Sequence, residues 1–193
     1  RAILPTPTIG GVGLLDDFTR AMSLAFKRDG ESILLIGESG GWLGQSLYLR
    51  ELCGCEEGAP PPVDLAAERR HGDLVRALIA DRLVTAAHDV SDGGVLVALA
   101  EMAMASRLGA VLEAPSGFVA HGFWFGEDQG RYLVAANDAN AVLQRARAAA
   151  VPAMRIGATG GRVLALAGER PLRVTDLIAR FEHWFPAYMA GAE

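Results

Sequence analysis

The sequence predicts an α/β fold, α+β in the order of its elements, with helices packed on a mixed sheet. Three observations carry this expectation. From residue 64 onward, short apolar runs of strand length alternate with amphipathic stretches of helix length. Asp, Asn and Thr residues stand where those stretches begin, as helix caps do. Apolar residues make up 51% of the 193 and charged residues 21%, the balance of a chain that packs a core.

The elements follow in order. Thr8–Leu15 reads as a β-like run with glycine joints. Met22–Phe26 and Ser32–Ile36 are apolar runs joined by Lys27-Arg-Asp-Gly30, a hairpin signal. A helix is expected over about 45–52. The stretch 54–62, with three consecutive prolines, can neither continue a helix nor join a central strand, so it reads as a linker and domain boundary. Asp64 can cap a helix running to about Arg82, with Leu74, Leu78 and Ile79 on one face. Val84–His88 is a strand, and Asp92–Ser106 a helix bearing Val95, Leu99 and Met102. Strands are expected at 109–113 and 132–136. Asn137 caps a helix to about Ala150. Met154–Ala158 and Val163–Ala167 form a hairpin across Thr159-Gly-Gly-Arg162. Thr175 caps a last helix that Pro186 stops.

Composition excludes several classes. The net charge of −5 argues against a nucleic-acid module that works through bulk positive charge. No apolar run reaches the ~18–20 residues that span a bilayer. The chain starts at Arg1 without a signal peptide and reads as the continuation of something longer. Cys53-x-Cys55 is neither a zinc knuckle nor a Cys-x-x-Cys redox pair, and the four histidines show no ligand spacing. Two cysteines suit a reducing compartment, so a cytoplasmic location is expected.

Three segments can carry chemistry. His88-Asp-Val-Ser-Asp-Gly-Gly94 joins a strand to a helix, where α/β sheets present ligand sites. Ser91 or Asp92 can cap that helix, and Gly93 and Gly94 leave backbone N–H groups accessible. Asp89 and Asp92 suit phosphate only through a bridging Mg²⁺, which takes hard oxygen ligands. The competing reading is a well-capped buried helix start. Phe125-Gly-Glu-Asp-Gln-Gly-Arg131 sets two acids, an amide and a guanidinium in a glycine-flanked turn able to bond a polar substrate; its alternative is a solvated turn with Arg131 paired to Glu127 or Asp128. Gly37–Ser46 is glycine-rich but fits neither the Walker pattern nor Gly-x-Gly-x-x-Gly, and reads better as a flexible joint. Trp184 and Phe185 belong to core or interface.

Together, Pro5-Thr-Pro-Thr-Ile-Gly-Gly-Val-Gly13, Leu43-Gly-Gln-Ser-Leu-Tyr-Leu49, Pro60-Pro-Pro-Val-Asp-Leu65, Ala87–Gly94 and Phe125–Val134 resemble, in order and spacing, the C-terminal part of the phosphoribosylformylglycinamidine synthases. These are purine-biosynthesis ligases of the PurM-like, AIR synthase-related superfamily. The resemblance implies a PurM C-terminal-like domain over 60–193, preceded at 1–59 by the tail of a PurM N-terminal-like domain. It implies ATP and Mg²⁺ as cofactors. Its partners would be a glutaminase domain or subunit that supplies ammonia and the remaining N-terminal part of the same chain, with no nucleic acid and no membrane. The family's catalytic histidines, ATP lysine and most Mg²⁺ ligands come from segments absent here, so no catalytic residue is expected. By the same resemblance His88, Asp89, Asp92, Gly93, Gly94, Glu127, Asp128, Gln129 and Arg131 line an auxiliary nucleotide site, with Asp89 and Asp92 as its metal ligands. That site either holds nucleotide or is a relic. The alternatives are a non-catalytic lobe that docks the glutaminase or the other half, and another PurM-like ATP-using enzyme.

Overall fold

The computed structural model describes residues 8–191. Its seven strands are β1 (Ser32–Ile36), β2 (Ala86–Val90), β3 (Ala110–Leu112), β4 (Arg131–Ala136), β5 (Ala153–Thr159), β6 (Val163–Leu166) and β7 (Leu172–Arg173). The helices are α1 (Leu65–Ala80), α2 (Gly94–Ser106), α3 (Ala120–Phe125), α4 (Ala139–Ala148) and α5 (Val174–Met189). One mixed sheet runs in the order β2-β4-β1-β5-β3-β6-β7. All of its pairings are antiparallel except β3 with β6.

Helices cover both faces, and strand periodicity divides the core between them. Ile33 and Leu35 of β1, with Leu133 and Ala135 of β4, face α2, α3 and the first turns of α5. Leu34, Ile36, Val134 and Ala136 face α1 and α4. A strand buried on both faces has no polar side, so β1 reads as an unbroken apolar run. The helix α2 is buried along Val95, Ala98, Leu99, Met102 and Ala103.

Asp64 caps α1 as expected, accepting from the Ala66 and Ala67 N–H groups at 2.9 and 3.0 Å. Other expectations change. The cap of α4 is Asp138, whose side chain accepts from the Ala141 N–H, rather than Asn137. Neither Ser91 nor Asp92 caps α2; its cap is Gly93, with no side-chain bond of its own. The last helix begins at Val174 and runs through Pro186 to Met189. The short α3 was not legible, because six residues around Gly122 carry too little periodicity. The expected helix over 45–52 shrinks to one turn ending in a π-type turn, Leu49–Cys53.

The strand expectations also divide. Thr8–Leu15 forms no strand and lies exposed, while Pro5–Pro7 fall outside the described residues. Met22–Phe26 forms no strand, its Ser23 carbonyl accepting a single bond from the Ala87 N–H at 3.3 Å, so the hairpin before β1 is absent. Instead the Gly30 N–H donates to the Thr159 carbonyl at 2.8 Å, which brings the chain into β1 beside the end of β5. The runs β5 and β6 are not a hairpin either: β3 lies between them, antiparallel to one and parallel to the other. Gly109 permits the insertion, since a Cβ there would collide with the Val163 backbone. The division expected at 59/60 runs between strands of one sheet, because β1 sits between β4 and β5. The proline run connects across the surface, tied down by Gln45 Nε2, which donates to the Glu56 and Gly58 carbonyls. Among the described residues no helix is long and apolar enough to cross a membrane.

Leu34 is fully buried at the sheet centre. Leu34→Ala should therefore lower unfolding stability by about 2–5 kcal/mol, read by urea denaturation. The Ala67 N–H, with that of Ala66, holds the Asp64 carboxyl below its ordinary 3.8. The charged cap is then favoured at neutral pH and lost as pH falls through its folded value. The stability gap between wild type and Asp64→Ala should be constant near neutrality and shrink in acid, measured by thermal unfolding across pH.

Candidate functional site

The three candidate segments converge on the turn between α3 and β4. Arg131 opens β4 and is 1% exposed. Its guanidinium is bonded on every side. Nε donates to the Asp128 carbonyl at 3.1 Å, Nη1 to Ser39 Oγ at 3.1 Å, and Nη2 to the Gly126 carbonyl at 2.5 Å. The Asp128 carboxylate lies 3.6 Å from Nη1. Burial pushes the Arg131 pKa down, and the Asp128 and then Glu127 charges oppose that. A guanidinium stays protonated through such a shift, so a full charge is held inside the turn.

Both acids accept from backbone donors. Asp128 accepts from the consecutive N–H groups of Gly40, Gly41 and Trp42 at 3.1, 3.0 and 3.3 Å, a concave nest of amides around an anion. Glu127 Oε1 accepts from the Leu47 and Gly93 N–H groups, both at 2.8 Å. It thereby caps α2 from a distant loop and anchors the turn that begins at Leu47. Gln129 projects outward, exposed, its amide 3.4 Å from the Glu127 carbonyl. Gly94 has φ +74°, and a Cβ on it would lie 2.6 Å from the Gly126 carbonyl oxygen, so the start of α2 rests directly on the turn's backbone.

His88 and Asp89 are neighbours on β2 and point to opposite faces. His88 sits on the α2 side, with Nε2 2.9 Å from Glu101 and Nδ1 3.2 Å from Asp89. Asp89 is exposed on the α1 side, where burial, then the charges of Glu68 and Asp89, raise the Tyr132 phenol. Asp92 is exposed in the turn before α2, within reach of the Arg50 charge. Among the described residues no three His, Cys, Asp or Glu side chains gather as a metal cluster.

A cleft of about 350 Å³ opens beside the turn, lined in part by Glu38, Trp42, Glu68, His71, Asp128 and Gln129. His71 was not singled out in the sequence. It is 5% exposed, and its Nδ1–H donates to the Gly130 carbonyl at 2.8 Å, fixing the far end of the turn to α1. The available signal was its place on the buried stripe His71, Leu74, Val75, Leu78. Ser39 and Glu101 carried no pattern that would mark them.

Asp128→Ala leaves three amides without their acceptor. It should cost about 1–3 kcal/mol and speed hydrogen exchange at Gly40, Gly41 and Trp42 by roughly tenfold or more. Gln129→Ala should change neither, as followed by thermal unfolding and amide exchange.

Comparison with known proteins agrees with this architecture. The chain is 65% identical over its whole length to 26% of the phosphoribosylformylglycinamidine synthase subunit PurL of a Bradyrhizobium species. It is 61% identical over 99% of its length to 26% of the Nitrobacter hamburgensis subunit. The chain thus spans about a quarter of the length of the curated relatives it matches. Among solved structures it resembles Thermotoga maritima PurL complexed with ATP (TM-score 0.65, 19% identity, 83% of this chain and 27% of that one) and the same protein complexed with FGAR (TM-score 0.68, 19% identity, 83% and 30%). A thiamine-monophosphate kinase from Stenotrophomonas maltophilia shares the fold more loosely, with TM-score 0.55 and 24% identity over 78% of this chain and 54% of that one. The model of the family described as AIR synthase related protein, C-terminal domain, matches residues 28–166, and the chain belongs to that family.

Proposed function

We propose that this chain is the C-terminal part of a cytoplasmic phosphoribosylformylglycinamidine synthase, an ATP-dependent carbon–nitrogen ligase of purine biosynthesis. One observation carries the reading: 65% identity along the full chain to one quarter of a curated synthase subunit. In the proposed reaction the amide oxygen of formylglycinamide ribonucleotide takes the γ-phosphoryl group of ATP, releasing ADP. Ammonia then adds at the activated carbon, and the oxygen departs with inorganic phosphate. The product is the amidine. The ammonia comes from a glutaminase domain or subunit; the solved PurLQS structure of T. maritima supports a multi-subunit arrangement. The residues that perform the chemistry belong to the N-terminal part of the synthase, and this part is inactive alone.

Within this chain we assign the ligand-facing roles to Asp89, Asp92 and Gln129, which border an auxiliary nucleotide site, while His88 turns its ring to Glu101 on the opposite face of β2. Asp89 and Asp92 are exposed, acceptor-only carboxylates, a donor set that fits Mg²⁺ completed by water and phosphate oxygens. Bound there, Mg²⁺ would neutralise phosphate charge that these acids otherwise repel. Glu127, Asp128 and Arg131 shape the site through their bonds to backbone, and Gly93 and Gly94 keep the start of α2 close to it. The internal use of those three charged side chains also favours a second reading, a non-catalytic lobe that docks the glutaminase or the other half.

Two experiments test these readings. A chimera in which this chain replaces the aligned 195 residues of the Bradyrhizobium subunit should restore purine-independent growth to a synthase-deficient bacterium, and this chain alone should not. A chimera that folds yet fails to complement sinks the synthase reading. Titration calorimetry with millimolar ATP and Mg²⁺ should show binding that Asp89→Ala with Asp92→Ala weakens by about tenfold or more. No binding to the wild type would favour the docking lobe, and binding indifferent to both substitutions would remove these carboxylates from the site.

A further inference from the structure

The cleft beside the turn between α3 and β4 carries more acid than its internal bonds use. Its lining includes four acids, Glu38, Asp64, Glu68 and Asp128, and no lysine or arginine. Two of the four are engaged inside the protein. Asp64 caps α1, and Asp128 accepts from three amides beside the buried Arg131 charge. Glu38 and Glu68 have no side-chain hydrogen bond and no ion pair among the described residues. Their charges share the cleft without a counter-charge, and like charges repel.

His71 supplies an independent observation. It is 5% exposed and lines the same cleft. A carbonyl only accepts, so the 2.8 Å bond to Gly130 places a proton on Nδ1. In the neutral ring Nε2 then keeps its lone pair, and no donor among the described residues meets it. A buried acceptor ordinarily has a donor. Trp42 forms another part of the wall, its Nε1–H donating to the Ala59 carbonyl at 2.9 Å. Aromatic rings attract cations.

We propose that this cleft is a site for a cationic N–H donor group, a guanidinium or an ammonium, held by Glu38, Glu68 and His71 Nε2. Such a group presents donors and no acceptor, the complement of these three side chains. The volume of about 350 Å³ lies near the lower end, roughly 300 Å³, of small-ligand pockets. Phosphate is repelled by the same acids, so the inference is independent of the nucleotide site proposed at Asp89 and Asp92. The cation has two sources. One is a free small molecule. The other is a Lys or Arg side chain from the three-quarters of the synthase that lie outside this chain, and that source rests on the synthase reading.

Saturation-transfer NMR with methylguanidinium tests the site and separates the sources. The 193-residue chain should transfer saturation to the probe's methyl group. Tetramethylammonium, equally charged but without N–H donors, should respond about fivefold less or weaker still. Glu38→Gln and Glu68→Gln keep the shape and remove the charge. Each should weaken methylguanidinium binding by about threefold or more, with circular dichroism unchanged. In the wild type the His71 Nε2 nitrogen resonance should move as the probe is added, which two acids acting only through bulk charge would not cause. In the full-length chimera, binding that Glu68→Gln still weakens assigns the site to a free cation. Loss of that binding in the chimera assigns it to a side chain of the remaining polypeptide. No binding to the 193-residue chain, an equal response to tetramethylammonium, or binding indifferent to both substitutions overturns the proposal.

Discussion

Arg131 enters the first position of β4 with its charge sealed from water, and its bonds decide where the surrounding segments meet. A buried cation needs an acceptor in every direction it presents a donor. The guanidinium finds them in the Gly126 and Asp128 carbonyls and in Ser39, so the turn must fold back on itself and the 37–42 loop must lie against it. The requirement then spreads. Asp128, drawn toward Arg131, gathers the amides of Gly40 to Trp42. Glu127 caps α2 and holds the amide of Leu47. One charge thus orders a turn, a glycine-rich loop and the start of the central helix.

This arrangement explains why the glycine-rich stretch after β1 is not a phosphate loop in its own right. Its amides already surround a carboxylate supplied by the protein. An internal anion in a nest of N–H groups occupies the position that a phosphate would need, and it does so without the entropic cost of binding. The groups left facing outward are Gln129 beside the cleft, Asp89 on the α1 side and Asp92 before α2. Ligand contact at this turn therefore falls to its rim, while its interior serves as a brace between the two layers of helices.

Sequence patterns located most of the fold. The stripe Leu74, Leu78 and the cap at Asp64 marked α1, and the wholly apolar run Ser32–Ile36 marked a buried strand. Of the site, the acids and the arginine of the 125–131 turn stood out as a group, but their partners did not. A backbone amide has no letter in the sequence, and these acids bond chiefly to amides 34 to 88 positions away. His71 and Glu101 were hidden for a related reason. Each lies on a helix whose pattern reads as packing, and each acts on a residue of another element.

The sequence by itself determined the long helices, the buried strands from β1 to β6, and that five motifs stand in the order of one family, because periodicity, capping chemistry and motif spacing are local properties. Only the tertiary structure decided which strands are neighbours. The runs β5 and β6 look like a hairpin, yet β3 enters between them, since Gly109 lets its backbone approach Val163. The strand β1 precedes a proline-rich stretch that reads as a boundary, yet it lies between β4 and β5, where both its apolar faces can be covered. Pairing in a sheet is a contest among distant segments for buried hydrogen bonds and two covered faces, and no local pattern records its outcome.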